Sequence, residues 1–564
     1  DWFYDAGFNE TSGNAQASNF GRGGVEGDNL RAEAQDYGGV NNANMSTPAD
    51  GARPRMQMYV WNTAGSRLTV NSPDAIAGDK TFGTATFGPQ GYSVTADVVL
   101  VNDGTGTTTD ACETIVNSVA GNIALIDVGT CTSSSKVLKA QNAGAVGAII
   151  VNSTTSVSTM TGTAAITIPS MMVTSTDGAA IKTALGSGTV NVTMSRPGRD
   201  GTIDNQIVAH EWGHYISNRL IGDASGLSNN QGGGMGEGWS DFHAMLLTVR
   251  PEDALVASNP NFSGVYAMAG YALQYALAPA NEYYFGIRRY PYSTDFGKNP
   301  LTFRHIQNGV PLPVGPPVRF GADGANNAQV HRTGEVWCAM LWECYAGLLL
   351  DTGRLTFDQA RDRMRQYLVA GYKMTPNAPT FVEARDALLA AVYASDPTDF
   401  GAFCAAFARR GAGVGAVAPD RNSTDHIGVV ESYVCGGDLQ LVSATLDDAV
   451  HTCDADAYLD EGEIGYFTVT LKNAGSTNLG ATTATLSSTN PSIVFQSGTT
   501  LPFPPSQPFG TTTASAVVRS SGAAGIQVQD IQVQYDDPGL AIAGPRTSNF
   551  GARGNVDEVP SANE

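Results

Sequence analysis

The chain has 564 residues, more than the roughly 250 to 300 at which one hydrophobic core stops growing, so we expect two or three domains. Hydrophobic residues make up 42% of it, yet no run approaches the roughly 18 consecutive apolar residues of a membrane-spanning helix, which predicts a soluble globular protein without a membrane partner. Its 53 acidic and 32 basic residues give a net charge of -21, which repels phosphate backbones and argues against a nucleic-acid partner.

The surface composition is typical of exported bacterial and fungal enzymes, because charged residues are only 15% of the chain, lysine is scarce, and glycine, serine and threonine abound. The first residues, from Asp1 to Phe8, already read as folded protein, with no initiator methionine and no apolar leader. We therefore expect a secreted, extracellular protein from which a signal peptide and a propeptide have been removed.

The seven cysteines are odd in number, so at least one is unpaired unless it bonds another chain. The sequence predicts a disulfide between Cys112 and Cys131. In the chain-entropy account, closing that loop stabilises the fold by about 3 kcal/mol. The pairing of the others stays open: Cys338, Cys344, Cys404, Cys435 and Cys453.

Residues 1–64 are loop-rich and aromatic, and they end in a strand-like stretch at 56–61. Residues 65–198 are rich in small and β-branched residues, with apolar strands at 123–128 and 148–151 and helical spacing at 133–143 between them. A third strand is predicted at 166–173, before a helix capped near Thr176 or Asp177. This segment is expected to have its own sheet.

Residues 199–436 are mainly helical, with helical spacing at 205–220, 236–248, 331–350, 357–371 and 380–393. After Gly436 and Gly437 the helices stop, and the alternation of apolar residues with threonine at 466–471 predicts a β-sandwich. A later alternation slips by one at Asp530, which predicts a β-bulge. The polar stretch from about Gly544 is predicted to be disordered.

The segment 209–214 contains the spacing His-Glu-x-x-His. On a helix, His210 and His214 lie about 40° apart and Glu211 about 100° from His210, so all three project from one side. Zinc prefers nitrogen and oxygen ligands, and a catalytic zinc takes three from the protein and leaves one position to water. The sequence therefore predicts that both histidines bind zinc and that Glu211 lies beside the water.

A third ligand is required, and the metzincin pattern would need a glycine and a histidine at the positions where this chain has Ser217 and Leu220. A glutamate on a following helix is the alternative, and Glu237 provides it. Asp241, four residues on, lies on the same helical face, where it can accept the outer ring N–H of either zinc-binding histidine. The pentapeptide alone also occurs by chance in surface helices, and the downstream pair favours the metal site.

Residues 210–220 and 233–241 resemble the fungalysin family of metallopeptidases, distant relatives of thermolysin. Residues 1–10, 19–24, 41–44, 199–201 and 286–290 also agree with the family pattern, so the resemblance covers 1–64 and 199–435. It implies a multidomain α+β fold, with a thermolysin-like peptidase that has a mainly helical C-terminal lobe.

The resemblance also implies further site residues. His331 opens a helix where the family places a histidine that hydrogen-bonds the developing oxyanion, although a histidine there could simply cap nearby groups. One of Arg288 and Arg289 is expected to hold a substrate carbonyl; we favour Arg288, and the other would then make an ion pair. Thermolysin places a tyrosine nine residues before its ligand glutamate, but Ser228 stands there, so the second oxyanion donor stays open.

Residues 65–198 interrupt the peptidase, and 121–126 with 143–148 resemble a protease-associated domain, which implies an inserted α/β fold. The resemblance implies a lid or substrate-recruiting role, and inert decoration is the alternative. Residues 437–564 are expected to form a C-terminal β-sandwich domain of the Ig-like type. It begins with an acidic run that matches no EF-hand loop; a solvated acidic face is favoured over Ca²⁺ binding. The run comprises Asp447, Asp448, Asp454, Asp456, Asp460, Glu461 and Glu463.

Other motifs have structural interpretations. His243, two residues past Asp241, is on another side of its helix, and His305, His426 and His451 are expected to be structural or surface residues. The glycines at 232–234 lack the strand and the lysine of a phosphate loop, and are interpreted as a flexible approach to the Glu237 helix.

Together these features predict a secreted zinc metalloendopeptidase that hydrolyses peptide bonds in proteins through a zinc-activated water, with Glu211 as general base. Its partners would be protein or peptide substrates and, before maturation, its own propeptide; its oligomeric state stays open. Two alternatives are a matrix-binding adhesin that keeps the zinc fold as a relic, and a metallohydrolase that acts on non-peptide bonds. The intact Glu211 argues against the relic, since a relic needs no base.

Overall fold

The computed structural model describes residues 2–62, 65–273 and 279–556. Asp1, residue 64 at the end of the first predicted domain, and the last part of the predicted disordered tail, 557–564, lie outside the described residues. The described helices are α1 (Trp2–Asp5), α2 (Ser133–Asn142), α3 (Ser175–Leu185), α4 (Asn205–Leu220), α5 (Asn230–Thr248), α6 (Gly270–Leu273), α7 (Pro279–Phe285), α8 (Val330–Leu350), α9 (Phe357–Met374), α10 (Phe381–Ser395) and α11 (Pro397–Arg409). None of these helices is long and apolar enough to cross a membrane.

The described strands of the first 200 residues are β1 (Arg31–Glu33), β2 (Ala43–Ser46), β3 (Arg55–Met58), β4 (Val60–Asn62), β5 (Arg67–Ser72), β6 (Gly78–Lys80), β7 (Phe82–Gly83), β8 (Tyr92–Leu100), β9 (Ile123–Asp127), β10 (Gly147–Val151), β11 (Ser170–Val173), β12 (Asn191–Arg196) and β13 (Gly198–Asp200). A three-stranded sheet has the order β1-β3-β2, and β4 pairs antiparallel with β13. The strand β2 is therefore an edge of its sheet, beside α4.

The strands β5–β12 form one eight-stranded sheet in the order β6-β5-β12-β8-β9-β10-β11-β7. Its centre, β8 to β11, is parallel, and α2 connects β9 with β10, which confirms the predicted strand–helix–strand unit. Ala124 and Ile126 pack into one apolar cluster and Ile123 and Leu125 into another, so β9 is buried on both faces.

Two boundaries in this region differ from the predictions. The strand β11 begins at Ser170 rather than at 166, because Pro169 has no N–H to donate to a neighbouring strand. The cap of α3 is Thr174, whose side chain accepts from the backbone N–H of Asp177, and not a residue near 176. The predicted disulfide between Cys112 and Cys131 is confirmed.

Residues 201–435 are mainly helical, and a large apolar cluster fills the space between α4, α5, α8, α9, α10 and α11. The glycines at 232–234 are not a flexible approach, because α5 already begins at Asn230, where the Asn229 side chain accepts from the N–H of Gly232. These glycines serve packing: a Cβ atom at Gly234 would lie 2.4 Å from Thr333 Cγ2 on α8. A second disulfide, which the sequence left open, joins Cys404 to Cys435.

The described strands of the C-terminal part are β14 (Leu439–Leu446), β15 (Ile464–Asn473), β16 (Thr482–Ser487), β17 (Ile493–Phe495), β18 (Thr500–Phe503), β19 (Thr511–Ser520), β20 (Gln527–Asp536) and β21 (Arg546–Gly554). They form two four-stranded sheets, β14-β15-β19-β17 and β18-β16-β20-β21, around a shared apolar core. Phe467, Val469 and Leu471 are fully buried, as the alternation in β15 predicts.

Two expectations for this region are wrong. The strand β20 pairs in unbroken register with β21, without a bulge at Asp530. Ile526 and Val528 are exposed, and Gln529 faces inward, where its amide donates to the Leu459 carbonyl 2.5 Å away, so the inward alternation never slips. The stretch after Gly544 is ordered as far as β21, whose backbone completes the edge of the second sheet.

Arg219, near the end of α4, joins the catalytic helix to the N-terminal loops. Its side chain is fully buried and donates to Asp28 Oδ2 at 3.2 Å and Asp50 Oδ1 at 3.2 Å. It also donates to three backbone carbonyls, those of Gly13, Pro48 and Ala52. Every one of these acceptors comes from a part of the chain at least 167 residues away.

His243 is fully buried in α5, between Phe3 and the hydroxyl of Tyr372, which lies 2.9 Å from its Nε2. Burial lowers the pKa of His243 to about 3, and the nearby His214 and His210 contribute in the same direction. The imidazole is therefore neutral in the folded protein at neutral pH.

We predict that Arg219→Ala lowers the free energy of unfolding by about 3 to 5 kcal/mol, because it leaves the buried Asp28 carboxylate and the partly buried Asp50 carboxylate without this cation. Asp358→Ala is the control, since it removes a partner of Arg361 that is 76% exposed, and such a change costs under about 1 kcal/mol. Urea unfolding measures both. Equal losses in the two variants would contradict the structural role of Arg219.

We predict that His243 destabilises the fold in acid. Below about pH 6.5 the unfolded chain binds a proton at His243 that the folded chain does not, so stability falls as the pH is lowered towards 3, by up to about 1.4 kcal/mol per pH unit from this group. His243→Gln removes that contribution. The stability difference between the wild type and this variant should therefore narrow between about pH 7 and pH 4 in urea unfolding of the metal-free proteins. A difference that does not change with pH would refute the claim.

Candidate metal centre and active site

The helices α4 and α5 approach closely at the candidate site. Asp204 caps α4 by accepting from the N–H groups of Gln206 and Ile207. A Cβ atom at Gly213 would lie only 2.7 Å from the Cα atom of Ser240 on α5, so glycine is required at this crossing. The close approach brings Glu237 of α5 opposite the two histidines of α4.

The three predicted metal ligands converge. The Nε2 atoms of His210 and His214 are 3.1 Å apart, and Glu237 Oε2 lies 3.3 Å from the first and 3.6 Å from the second. Their ligand atoms form a group that could hold a metal ion. Within the described part of the chain, Glu237 Oε2 is buried without a hydrogen-bond donor, although each buried carboxylate oxygen needs one or a cation. Two imidazoles and a carboxylate around one point fit a zinc ion.

The electrostatics of Glu237 and His210 agree with a cation site. Burial raises the pKa of Glu237, but His214 and His210 outweigh it and hold that pKa well below its ordinary value. Burial lowers the pKa of His210, but Asp241 and Glu237 outweigh it and raise that pKa to about 10. The protein surroundings thus favour one positive charge at this point, which a metal ion would supply.

Asp241 orients one of the two histidines. Its Oδ1 lies 2.7 Å from His210 Nδ1, so the carboxylate contacts His210 and not His214. Arg288 donates to both oxygens, at 2.6 and 2.7 Å, and the buried Tyr292 hydroxyl donates to Oδ2. Because Asp241 accepts the proton on Nδ1, Nε2 is the ring nitrogen of His210 that is directed to the site and could bind a metal ion.

Glu211 follows His210 on α4 and is 5% exposed. Burial raises the pKa of its carboxyl above the ordinary value, although His210 and His214 act in the opposite direction. It lines a cavity of about 360 Å³ together with the three convergent ligands. The apolar part of the wall comes from Met45, Trp61, Ile207, Met268, Ala269 and Ile287.

His331 lies at the start of α8, with its Nε2 atom 3.4 Å from Glu237 Oε2. The Gln329 side chain caps this helix: its Oε1 accepts from the N–H of Arg332, which directs its NH₂ group to His331 Nδ1 at 2.7 Å. Since Nδ1 accepts, the proton of the neutral ring is on Nε2 and faces the site. Burial lowers the pKa of His331, which keeps the ring neutral.

The two adjacent arginines differ. Arg288 lines the cavity wall while it contacts Asp241. Arg289 is fully buried, and it forms an ion pair with Glu335 at 2.8 Å and donates to Asn327 at 2.7 Å. Ser228 lies in the wall of a second cavity, of about 1060 Å³, next to the first.

The remaining histidines and the C-terminal acidic run do not belong to the group of three convergent ligands. His243, His305 and His426 are buried, and His451 is exposed. Part of the C-terminal acidic run does come together, as Asp448, Asp454 and Glu463 and as Asp454, Asp456 and Asp460. Both carboxylate oxygens of Glu463 already accept a hydrogen bond, one from the N–H group of Cys453 and one from that of Asp460.

Sequence reasoning missed two residues of the site. Tyr292 lies two positions beyond the 286–290 motif, and the sequence around it gives no sign that its hydroxyl donates to Asp241. Gln329 stands two positions before His331, and glutamine is not a frequent helix cap. A polar residue at the N-cap position of the His331 helix was the available signal.

Comparisons with known proteins find similarity to extracellular metalloproteinases. The extracellular metalloproteinase 4 of Arthroderma otae is 26% identical over 433 residues, which cover 74% of this chain and 41% of that protein. The extracellular metalloproteinases mep of Aspergillus niger and of Aspergillus fumigatus are 34% identical over 238 residues and 35% identical over 246 residues, covering 39% and 41% of this chain and 32% and 33% of theirs. This chain thus spans less than half the length of each relative.

The family model of the fungalysin metallopeptidases (M36) matches residues 1–416, well over half of the chain, and it includes the convergent histidines and glutamate. The chain therefore belongs to the fungalysin metallopeptidase family.

Proposed function

We propose that this protein is a secreted zinc-dependent metalloendopeptidase that hydrolyses peptide bonds in proteins. The observation that carries the proposal is the convergence of His210, His214 and Glu237 on one point, in the wall of a cavity that also contains Glu211. The metal is assigned as zinc from the two nitrogens and one oxygen. Relatives that are named extracellular metalloproteinases support both the activity and the secretion.

When bound, zinc would polarise the scissile carbonyl and make the attacking water more acidic. Glu211 is the general base: it removes a proton from the water and later delivers one to the leaving amine. Its raised pKa, caused by burial, suits a carboxylate that must hold that proton between the two steps.

The oxyanion side of the proposed site is His331 and Arg288. His331 presents an Nε2–H, so it donates a hydrogen bond to the developing oxyanion without first binding a proton. Arg288 is oriented by its two contacts with Asp241, and its place in the cavity wall suits a contact with a substrate carbonyl. The apolar cavity wall would accept a bulky apolar side chain after the scissile bond.

We also propose the domain layout: a peptidase formed by residues 1–64 and 199–436, an inserted protease-associated domain at 65–198 and an Ig-like sandwich at 437–564. The eight-stranded sheet with its own apolar clusters and the two four-stranded sheets support it. Protein or peptide substrates and the protein's own propeptide are the proposed partners.

We predict that Glu211→Gln retains zinc but lowers kcat for peptide cleavage by about 10²- to 10⁴-fold, because it removes the base and keeps the shape. Glu252→Gln is the control, because Glu252 is exposed and is not part of the cavity wall; this variant should cleave peptides as the wild type does. Zinc content and peptide turnover are measured on the same samples. Turnover by the zinc-loaded Glu211→Gln protein at the wild-type rate would refute the assignment.

A casein digest with and without a chelator separates the proposed function from its alternatives. Chelator-sensitive cleavage that returns with added zinc is the expected result. No cleavage by the zinc-loaded protein would favour the adhesin or a hydrolase of non-peptide bonds.

We predict that Asp241→Asn weakens zinc binding by about 10- to 100-fold, because His210 loses the acceptor that orients its ring. Tyr292→Phe keeps the carboxylate and both arginine contacts, so the loss should be smaller. Competition with a coloured chelator measures both affinities. An unchanged affinity in Asp241→Asn would show that His210 does not depend on this carboxylate.

A further inference from the structure

The larger cavity, here called the outer cavity, opens directly from the proposed active site. Its volume is about 1060 Å³, and it shares Asn42, Ile287, Arg288 and His331 with the wall of the catalytic cavity. A substrate chain that extends past His331 therefore enters the outer cavity. Its other walls come from the first residues of α5 and α8 and from parts of the chain near 308–328 and at 424.

Neutral amides dominate the wall of the outer cavity: Asn42, Asn229, Asn230, Asn308, Asn326 and Gln329. Apart from His331, its charged or titratable residues are Arg288, Arg332 and Glu335. Arg288 is paired with Asp241, and Glu335 accepts from Arg289 at 2.8 Å. Two of the three charges are therefore compensated within the protein.

Arg332 is the third, and within the described ranges no carboxylate lies within 4.0 Å of its guanidinium. Its Cζ atom is 5.6 Å from the centre of the Phe320 ring, which holds the group in place without neutralising it. Acidic residues outnumber basic ones in this chain, 53 to 32. Composition alone therefore does not explain an arginine in a cleft wall that has no carboxylate partner.

The helix on which Arg332 lies adds to the positive potential at this place. It follows His331 in the first turn of α8, where the helix dipole is also positive. Its backbone carbonyl accepts from Arg289 Nη2 at 2.7 Å, so the first turn is fixed independently of the Arg332 side chain. A change of that side chain can therefore alter the cavity charge and leave the helix in place.

We propose that Arg332 is a specificity-determining residue that binds a substrate carboxylate in the outer cavity, so that cleavage favours peptides with an acidic group near the scissile bond. This rests on the proposed peptidase function. The fork of the guanidinium matches the two oxygens of a carboxylate, and the surrounding amides can bind the peptide backbone. The carboxylate is that of an aspartate or glutamate side chain or of a peptide C-terminus.

The test uses the zinc-loaded full chain and quenched fluorescent peptides that differ only by Glu or Gln at one of the three positions on either side of the cleaved bond. For one position we expect kcat/KM to be about three- to tenfold higher with Glu, the size of a partly solvated ion pair. Arg332→Gln should bring this ratio to about one, and Arg332→Glu should favour Lys over Glu there. Peptides with free and amidated C-termini distinguish the second source of a carboxylate.

Arg519→Gln is the matched control, because Arg519 is an exposed arginine on β19 and outside both cavities. It should keep the wild-type Glu to Gln ratio. Melting temperature and zinc content show whether each variant folds, and Arg332→Lys, which keeps the charge, should retain part of the preference.

A Glu to Gln ratio that is the same in the wild type and in Arg332→Gln, with both C-terminal forms cleaved alike, would overturn the proposal while peptide cleavage stands. Dependence on Arg332 for the free C-terminus alone would support the carboxylate site and assign it to chain ends. Absence of cleavage of every peptide by the zinc-loaded wild type would instead overturn the proposed function.

Discussion

The close packing of α5 against its two neighbouring helices is the constraint on which the site depends. On one side Gly213 of α4 touches α5, and on the other a Cβ atom at Gly238 would lie 2.5 Å from the Gly334 carbonyl of α8. A Cβ at Gly334 would in turn lie 2.7 Å from the Cβ of Glu237. Glycine at all three contacts lets the histidines of α4, the glutamate of α5 and His331 of α8 lie within a few ångströms of one another.

This packing buries several charged groups next to one another. Because groups of opposite charge are neighbours, the free-energy cost of burying them is reduced. Asp241 is the central anion, with His210 on one side and Arg288 and Tyr292 on the other. Burial alone would raise the pKa of Asp241, yet Arg288 and His210 hold it below the ordinary range. Among the described residues Glu237 Oε2 has no such donor, so this oxygen is left for a cation.

The metal ligands could be predicted from sequence because each pair is local: His210 with His214, and Glu237 with Asp241, are four residues apart on one helix. The contact between the pairs could not. From the spacing in the sequence, either histidine could contact Asp241. Only the crossing of α4 and α5 determines that this histidine is His210. The same limit applies to Arg288 and Arg289, which are adjacent in sequence and face different carboxylates.

The fold was predictable where hydrophobic periodicity is regular, as in β9, β15 and most of the long helices. Prediction failed where a residue lies in a place that its type does not favour, such as a polar side chain in the core or a glycine within a helix. Gln529 faces inward and bonds a buried carbonyl, so an apolar pattern alone wrongly suggested a bulge. The glycines at 232–234 lower the intrinsic helix propensity by about 1 kcal/mol each, yet α5 includes them, because tertiary packing prevails: at Gly234 the contact with α8 requires a small residue.

Residues 65–198 are joined to the rest of the protein next to the wall of the catalytic cavity. Its two ends meet where β4 pairs with β13, and Trp61, opposite Arg199 in that ladder, also lines the cavity. A Cβ atom at Gly198 would lie 2.5 Å from Val60 Cγ1, so the junction is tightly packed. Among the residues that the structure describes, none from 65–198 contributes to the wall of either cavity. The β4–β13 ladder and Trp61 therefore connect this region directly to the wall of the catalytic cavity.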